Sequence, residues 1–261
     1  MVLARGGVLR PAVLPAGVRR LVPYAFAHPV AVIPIAKILG RRVVPSALAI
    51  GSVMPDVWYF VPFLDREQTH GALALWFGVP AGLLVYAAFH LIFKQPMLAL
   101  APRQLAGRLA ACSAPGLPAA PWLSVLVSLV VGVVTHVAWD AFTHAGYFRF
   151  VETRLYEGVY LHQVLQHAST LAGGAVLAWW IWRKLAATRP RPVARELPSG
   201  MRIAVLAAMA LLPAIAFFSV LGVFEVDAET ARLALRAATI TAMSAFGLVA
   251  LAFSLAWKAA R

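Results

Sequence analysis

The stretch from Leu123 to Tyr147, LSVLVSLVVGVVTHVAWDAFTHAGY, most constrains what this chain can fold into. It is apolar enough to form a membrane-spanning helix, but three side chains near its end can bind a metal or carry a proton. His136, Asp140 and His144 are spaced i, i+4 and i+8, so on a helix they share one face. Such groups cost on the order of a few kcal/mol in hydrocarbon, so we expect them to face a bundle interior with polar partners.

The composition is that of an integral membrane protein. The 261 residues are 62% hydrophobic and 13% charged, with a mean hydropathy of +0.80, outside the range of soluble domains. The formal net charge is +13, but the lysines and arginines lie between apolar runs, as loop charges that set membrane topology do. A nucleic-acid partner is therefore not expected; the expected surroundings are the lipid bilayer.

The order of apolar runs predicts an all-α, polytopic membrane fold with about seven membrane segments. Two short segments, Tyr24 to Leu39 and Val44 to Phe63, form an N-terminal helical hairpin. Five full spans follow, and they are 71–94, 123–147, 160–182, 203–224 and 233–257. The corresponding domain division is a basic leader at 1–22, a metal-site membrane domain at 23–182, a basic cytoplasmic loop at 183–202 and a C-terminal two-helix scaffold at 203–261.

The distribution of basic residues predicts the orientation. One side of the membrane collects Lys37, Arg41, Arg42, Lys94, Arg103, Arg108, Arg183, Lys184, Arg189, Arg191, Arg195, Arg202, Lys258 and Arg261. The other side collects only Arg66, Arg149, Arg154, Arg232 and Arg236. The richer side is cytoplasmic by the positive-inside rule. This topology places the polar groups of the central helix near the non-cytoplasmic face, whereas His90, beside Lys94, is expected at the opposite interface.

Several histidines and two aspartates gather near that non-cytoplasmic face. They are His28, Asp56, His70, His136, Asp140, His144, His162 and His167. Imidazole and carboxylate ligands suit zinc, with manganese or iron also allowed. The single cysteine, Cys112, excludes a zinc site built from cysteines. His162 and His167 are five residues apart, about 140° around a helix, so only one of them can face the cluster.

Several short motifs carry a resemblance to known families. They are HPVAVIP, ALAIGSVMPDVWYF, THG, THVAWDAFTH and LQHAS. Over roughly residues 21–182 the chain resembles an uncharacterised family of bacterial membrane proteins, domain of unknown function 4184. It also resembles proteins described as membrane-bound metal-dependent hydrolases. The match to LQHAS favours His167 over His162.

A remoter resemblance is to the all-helical zinc phospholipase C and single-strand nuclease superfamily, which orders its ligands in the same way. It implies a metal set of His28, Asp56, His70, His136, Asp140, His144 and His167. Leu171 stands where that superfamily has a glutamate after the last histidine, so one or two divalent ions are expected rather than three. Asp140 would bridge or ligate, and Asp56 would ligate or orient the attacking water. These two aspartates are the expected catalytic residues.

The expected function is metal-dependent hydrolysis of a phosphoester. A metal lowers the pKa of bound water toward ~7 and polarises a phosphoryl oxygen. Because the site is expected at the non-cytoplasmic face of the bacterial cytoplasmic membrane, the substrate is expected to be a phospholipid or a lipid-linked phosphate. Two alternatives stay open: a transporter of metal ions or protons, in which intramembrane ionisable groups are equally expected, and a non-catalytic membrane scaffold.

Overall fold

The structure is a computed structural model, and it describes residues 2–3, 9–10, 27–61, 63–112, 116–193, 196–223 and 230–260. These residues form ten α-helices and two short β-hairpins, so the expectation of an all-α chain is confirmed. Of the predicted leader at 1–22, only the strands β1 (Val2–Leu3) and β2 (Leu9–Arg10) are described. The remainder of that leader lies outside the described residues.

The helices follow one another along the whole chain. They are α1 (Pro29–Leu39), α2 (Pro45–Gly51), α3 (Arg66–His70), α4 (Ala74–Ala88), α5 (Lys94–Leu100), α6 (Arg103–Cys112), α7 (Trp122–Thr143), α8 (Leu161–Ala186), α9 (Ser199–Val223) and α10 (Ala231–Ala259). A 3-10 helix, Met54–Phe60, connects α2 to α3, and a π-helical turn, Phe89–Phe93, joins α4 to α5. The second hairpin, β3 (Arg154–Tyr156) with β4 (Val159–Tyr160), lies between α7 and α8.

Contacts divide the chain into two units. One unit comprises residues 24–95 and 102–193, and the other comprises 1–23, 96–101 and 194–261. In the second unit α9 and α10 pack along each other. The first unit contains every predicted metal ligand, so the site is built from α1 to α4, α7, α8 and their connections.

Helix α7 is the centre of the first unit. Its Leu129 and Val133 are fully buried, and α2 and α4 both pack on it. Glycines on α4 receive these side chains: a Cβ on Gly78 would lie 2.9 Å from Val133 Cγ2, and one on Gly82 would lie 2.8 Å from Leu129 Cδ2. Large side chains on α7 therefore fill the space that the small residues of α4 leave open.

The backbones of α2 and α7 approach even more closely. A Cβ on Gly132 of α7 would lie 2.5 Å from the carbonyl oxygen of Leu48 and 2.7 Å from the amide nitrogen of Ser52. A Cβ on Gly51 of α2 would lie 2.5 Å from the carbonyl oxygen of Leu129. Small residues permit this kind of helix contact in membrane proteins, where packing rather than hydrophobic burial drives association.

The N-terminal hairpin is shorter than a membrane span. Helix α1 has 11 residues and α2 has 7, which at about 1.5 Å per residue reaches only a fraction of the ~30 Å hydrocarbon thickness. The turn between them begins at Gly40, whose φ of 53° suits a glycine. Helix α2 ends at Gly51, before the 3-10 helix that contains Pro55.

Four helical segments of the described residues are long and apolar enough to cross a membrane. They are Ala74–Leu100, Trp122–Thr143, Ser199–Val223 and Leu233–Ala259. Helix α8, predicted as a fifth full span, has 26 residues but is not among them. Its first turns carry two histidines and two glutamines, which lower its hydropathy. The count of about seven membrane segments therefore stays a prediction.

The contact between α2 and α7 can be tested by adding one methyl group. Gly132→Ala should lower the thermal unfolding temperature of the detergent-purified protein, because the new Cβ meets backbone atoms that cannot rotate away. Overpacking of this kind costs about 1–3 kcal/mol. Gly174→Ala on α8 is the control, since a Cβ there meets nothing within 4 Å. Equal unfolding temperatures for the two variants would contradict the close packing.

Candidate metal centre

The end of α7 supplies the centre of a buried polar cluster. His136 is 1% and Asp140 is 2% exposed, and they lie on successive turns of the same helix face, as their spacing predicts. The helix ends at Thr143, so His144 is just beyond it, in extended backbone. The predicted i, i+4, i+8 stripe is thus helical over its first two members, and His144 reaches Asp140 from outside the helix.

His70 comes to this point on α3, a single turn that is fixed at its beginning. The Asp65 carboxylate accepts a hydrogen bond from the Gln68 amide at 2.8 Å, and the Gln68 side chain accepts one from the Asp65 amide at 3.0 Å. This reciprocal arrangement is a capping box. It orients the short helix so that Thr69 and His70 are buried.

Asp56 and His28 come from the N-terminal segments. Asp56 is buried in the 3-10 helix Met54–Phe60, directly after Pro55 in its first turn. His28 immediately precedes α1, and its ring stacks on His136 with centroids 3.8 Å apart. Each of these residues belongs to a different element, so the cluster exists only when all of these elements are packed.

Three ligand atoms lie close around His70 Nε2. His70 Nε2 lies 3.2 Å from His136 Nε2, 3.3 Å from Asp140 Oδ2 and 3.4 Å from Asp56 Oδ1. His136 Nε2 lies 3.8 Å from Asp56 Oδ1 and 3.9 Å from Asp140 Oδ2. Four ligands at about 2.0–2.1 Å from a tetrahedral zinc ion are roughly 3.3–3.4 Å from one another. The observed separations are therefore close to those of a coordination shell.

These donors form two overlapping groups. His70, His136 and Asp140 make one, and His28, Asp56 and His136 make the other; in each group the three ligand atoms lie within 4.8 Å of one another. All five residues are buried. Since His136 is common to both groups, the cluster could hold one ion in either group.

Hydrogen bonds fix how His136 presents its lone pair. Its Nδ1 lies 2.8 Å from the carbonyl oxygen of Ser52. A carbonyl can only accept, so Nδ1 carries the proton and the bare Nε2 faces the cluster. Metal-binding histidines commonly have this outer partner, which sets the tautomer and the ring orientation.

Two buried atoms of the cluster, His28 Nδ1 and Asp56 Oδ2, have no hydrogen-bond partner among the described residues. An unsatisfied buried polar atom costs about 1–3 kcal/mol, and native proteins keep few of them. A cation or ordered water bound in the cluster would remove this cost.

Two histidines of the cluster, His28 and His70, lie outside the long apolar helices and have opposite electrostatic environments. Burial and the neighbouring His136 lower the pKa of the His28 imidazole to about 4, so this ring is neutral at pH 7. Burial also disfavours the charged form of His70. Hydrogen bonds to the carboxylates of Asp140 and Asp56 outweigh that effect and raise the pKa of His70 above its ordinary value. Of these two histidines, His70 is therefore the one whose protonated form is stabilised by its surroundings.

His144 lies beside the cluster rather than within either donor group. Its Nδ1 is 3.3 Å from Asp140 Oδ1, and its Nε2 accepts a hydrogen bond from Gln166 Nε2 at 3.1 Å. The ring therefore connects α8 to the central carboxylate. The predicted metal ligand His144 therefore lies next to the site. Its contacts are those of a residue that positions Asp140.

The favoured ligand on α8 is not brought to the cluster. The structure places His167 at an exposed position of α8, and the residue that reaches the site is its neighbour Gln166. His162 is half-buried, and its Nδ1 donates to the Val151 carbonyl at 3.1 Å. One residue corresponds to about 100° of helix rotation, so the orientation of α8 selects Gln166 over His167.

Arg66 also belongs to the site, although the sequence predicts it only as a basic residue of a loop. Its Nη2 donates to Asp140 Oδ2 at 3.0 Å, and its guanidinium lies over the Tyr147 ring, 5.7 Å from the centroid. The available signal was its position four residues before His70, on the same face of α3. That signal is weak without knowing that α3 forms a helix.

A second buried polar group, formed by His90 and Lys94, lies away from the cluster. His90 and Lys94 are both buried. His90 Nε2 lies 3.0 Å from Ser46 Oγ, and Lys94 Nζ lies 3.1 Å from His90 Nδ1 and 3.0 Å from the Gly116 carbonyl oxygen. These contacts satisfy the histidine ring and connect α2, the π-helical turn, the start of α5 and the segment before α7.

The cluster of five buried residues fits a divalent ion by its donor chemistry. It offers neutral imidazole nitrogens and two carboxylates, a mixed N/O set suited to zinc, manganese or iron(II). The two carboxylates would balance the charge of a dication. The orphaned buried atoms and the shell-like separations agree with this donor set.

Comparison with known proteins gives one match. The family described as domain of unknown function (DUF4184) matches residues 22–255. No curated protein and no solved structure is significantly similar to the chain. Because the matched region covers nearly the whole sequence, including every residue of the cluster, the chain belongs to the DUF4184 family.

Proposed function

We propose that this protein is a polytopic protein of the bacterial cytoplasmic membrane that binds one or two divalent ions in its His/Asp cluster and hydrolyses a phosphoester. The observation that carries the proposal is the crowding of ligand atoms around His70 Nε2, which has His136 Nε2, Asp140 Oδ2 and Asp56 Oδ1 within 3.2–3.4 Å. A structural hydrogen-bond network would not need two carboxylates beside one histidine.

The proposed ligands have separate roles. His70, His136 and Asp140 would hold the first ion, and a second ion would be held by His28 and Asp56, since the single bare Nε2 of His136 can ligate only one ion at a time. Zinc is the favoured ion, with manganese or iron as alternatives. When bound, the ion would acidify a coordinated water and polarise the phosphoryl oxygen.

Asp56 is the proposed general base. Its Oδ1 faces His70 and His136, while its buried Oδ2 has no hydrogen-bond partner among the described residues. That oxygen can accept the proton of the attacking water. As the water oxygen bonds to phosphorus, the ester P–O bond breaks, and the departing alkoxide takes up a proton to leave as an alcohol.

Location supports a lipid substrate. The cluster lies at the end of α7, one of the four helices that are apolar enough to cross a membrane, and the distribution of basic residues favours the non-cytoplasmic side for this end. A phospholipid or lipid-linked phosphate could reach such a site from the bilayer. The preference for a phosphoester follows from the resemblance to the zinc phospholipase C superfamily and from the hydrolytic chemistry of such ions.

Metal content is the first test. Plasma mass spectrometry of the detergent-purified wild type, prepared without chelator, should find one or two zinc, manganese or iron ions per chain. His136→Ala and Asp140→Ala should lose the metal, because each removes a buried ligand. His167→Ala is the matched control and should keep it, since His167 is exposed on α8.

Folding of these variants must be checked separately. Size exclusion and thermal unfolding in the same detergent would show whether loss of metal reflects loss of the ligand or loss of the fold. A well-folded wild type without metal, or equal metal content in His136→Ala and wild type, would refute the metal centre.

Catalysis is tested with Asp56→Asn, which keeps the shape of the side chain but removes its basicity. With chromogenic phosphomonoester and phosphodiester substrates, kcat should fall by about 10²–10⁴-fold, the usual contribution of a general base. At least one ion per chain should remain, since the group of His70, His136 and Asp140 does not include Asp56. Metal-loaded wild type that turns over neither substrate class, nor short-chain phospholipids, would exclude the hydrolase and favour transport.

A further inference from the structure

We propose that Arg66, beside the loaded metal centre, forms a binding site for a tetrahedral phosphate-type oxyanion, and that this anion is the phosphoryl group of the substrate. This inference rests on the proposed function and adds a specificity-determining residue to it. The residue is defined by three features: its contact with Asp140, its partial exposure and its fixed orientation.

The guanidinium lies at the boundary between the buried cluster and the outside. Arg66 Nη2 donates to Asp140 Oδ2 at 3.0 Å, and the Asp140 side chain is 3% exposed whereas that of Arg66 is 19% exposed. One edge of the guanidinium thus contacts the inner carboxylate while part of the side chain is accessible. An anion approaching the cluster from that side meets the guanidinium beside the metal ligands.

The orientation of Arg66 is fixed from two directions. It is the first residue of α3, directly after the N-cap Asp65 and inside the capping box that Asp65 forms with Gln68, and its guanidinium lies over the Tyr147 ring. Tyr147 in turn donates through its hydroxyl to the His70 carbonyl at 3.3 Å. Arginine has five N–H donors in a planar fork that matches two oxygens of a phosphate. A fixed fork on a partly exposed side chain is suited to bidentate binding of such an anion.

The charge balance favours an anion once the metal is bound. Asp56 and Asp140 contribute two negative charges, and a divalent ion cancels both. The guanidinium of Arg66 then gives the metal-loaded site one net positive charge. Without the ion, the same two carboxylates would repel a phosphate. Anion binding at Arg66 should therefore depend on metal.

Two other arginines near the end of α7 do not share these features. Arg149 and Arg154 are exposed, and Arg154 Nε donates weakly to the Tyr156 carbonyl at 3.4 Å. Neither has a contact with Asp56 or Asp140 among the described residues. They are matched controls for removing one positive charge on the same side of the protein.

The experiment measures phosphate binding by isothermal titration calorimetry on zinc-loaded, detergent-purified protein. The proteins are the wild type, Arg66→Gln, Arg66→Lys and Arg149→Gln, and zinc content is determined for each. Inorganic phosphate should bind the wild type and Arg149→Gln equally, and Arg66→Gln at least about tenfold more weakly, the effect of losing a charge-assisted hydrogen bond. Arg66→Lys keeps the charge but not the fork and should be intermediate.

A second arm identifies the source of the phosphoryl group. Dihexanoyl phosphatidate is titrated in the same way, and its dependence on Arg66 should equal that of inorganic phosphate. Tighter binding of the phosphatidate than of inorganic phosphate would indicate a lipid headgroup, and equal affinity would indicate that the phosphoryl group alone is recognised. Both results support the anion site.

The failures are distinguishable. Zinc-loaded Arg66→Gln that binds phosphate as tightly as wild type overturns the role of Arg66 and leaves the metal centre intact. Zinc-loaded wild type that binds no phosphate also overturns the anion site and leaves the metal centre intact. Wild type that takes up no zinc overturns the metal centre and this inference with it. If Arg66→Gln does not fold, the folded Arg66→Lys decides, because unchanged affinity there excludes bidentate binding.

Discussion

The close contact between α2 and α7 is the interaction on which the rest of the site depends. Gly51 and Gly132 let the two backbones meet, and this brings the carbonyl of Ser52 to within 2.8 Å of His136 Nδ1. That hydrogen bond decides which nitrogen of His136 faces the cluster. It follows that two glycines without any chemistry of their own set the tautomer of the central imidazole, and that the position of Asp56, shortly after α2, depends on the same contact.

The composition of the cluster follows from the free-energy cost of burying charged side chains. Two carboxylates inside a helical bundle are unfavourable unless a positive charge or several donors accompany them. Asp140 has Arg66 at 3.0 Å, whereas Asp56 has a buried oxygen without any partner among the described residues. One arginine cannot balance two aspartates. The remaining negative charge is the physical reason to expect a cation in this place, and it does not depend on any resemblance.

The sequence predicted the members of the site better than their roles. The spacing of His136 and Asp140, and the shared membrane face predicted for His28, Asp56 and His70, agree with the five buried residues that the structure brings together. The predicted metal set also included His144 and His167, which lie outside both donor groups. Local patterns could not show that α7 ends at Thr143, that α8 presents Gln166 rather than His167, or that Arg66 contacts Asp140. Each of these depends on a rotation or a helix end set by packing. Similarly, hydropathy predicted the four segments that are long and apolar enough to cross a membrane, while α8, with its polar first turns, is not among them.

A proton and a metal ion compete for the same point in this structure. His70 Nε2 has His136 Nε2, Asp140 Oδ2 and Asp56 Oδ1 within 3.2–3.4 Å, so a proton on that nitrogen is attracted by every neighbour. A divalent ion at the point where these atoms converge would satisfy the same acceptors at once and leave His70 to ligate through its lone pair. Metal binding must therefore release a proton wherever His70 is protonated. The arrangement that stabilises a positive charge on His70 is thus the same one that would favour a metal over the proton.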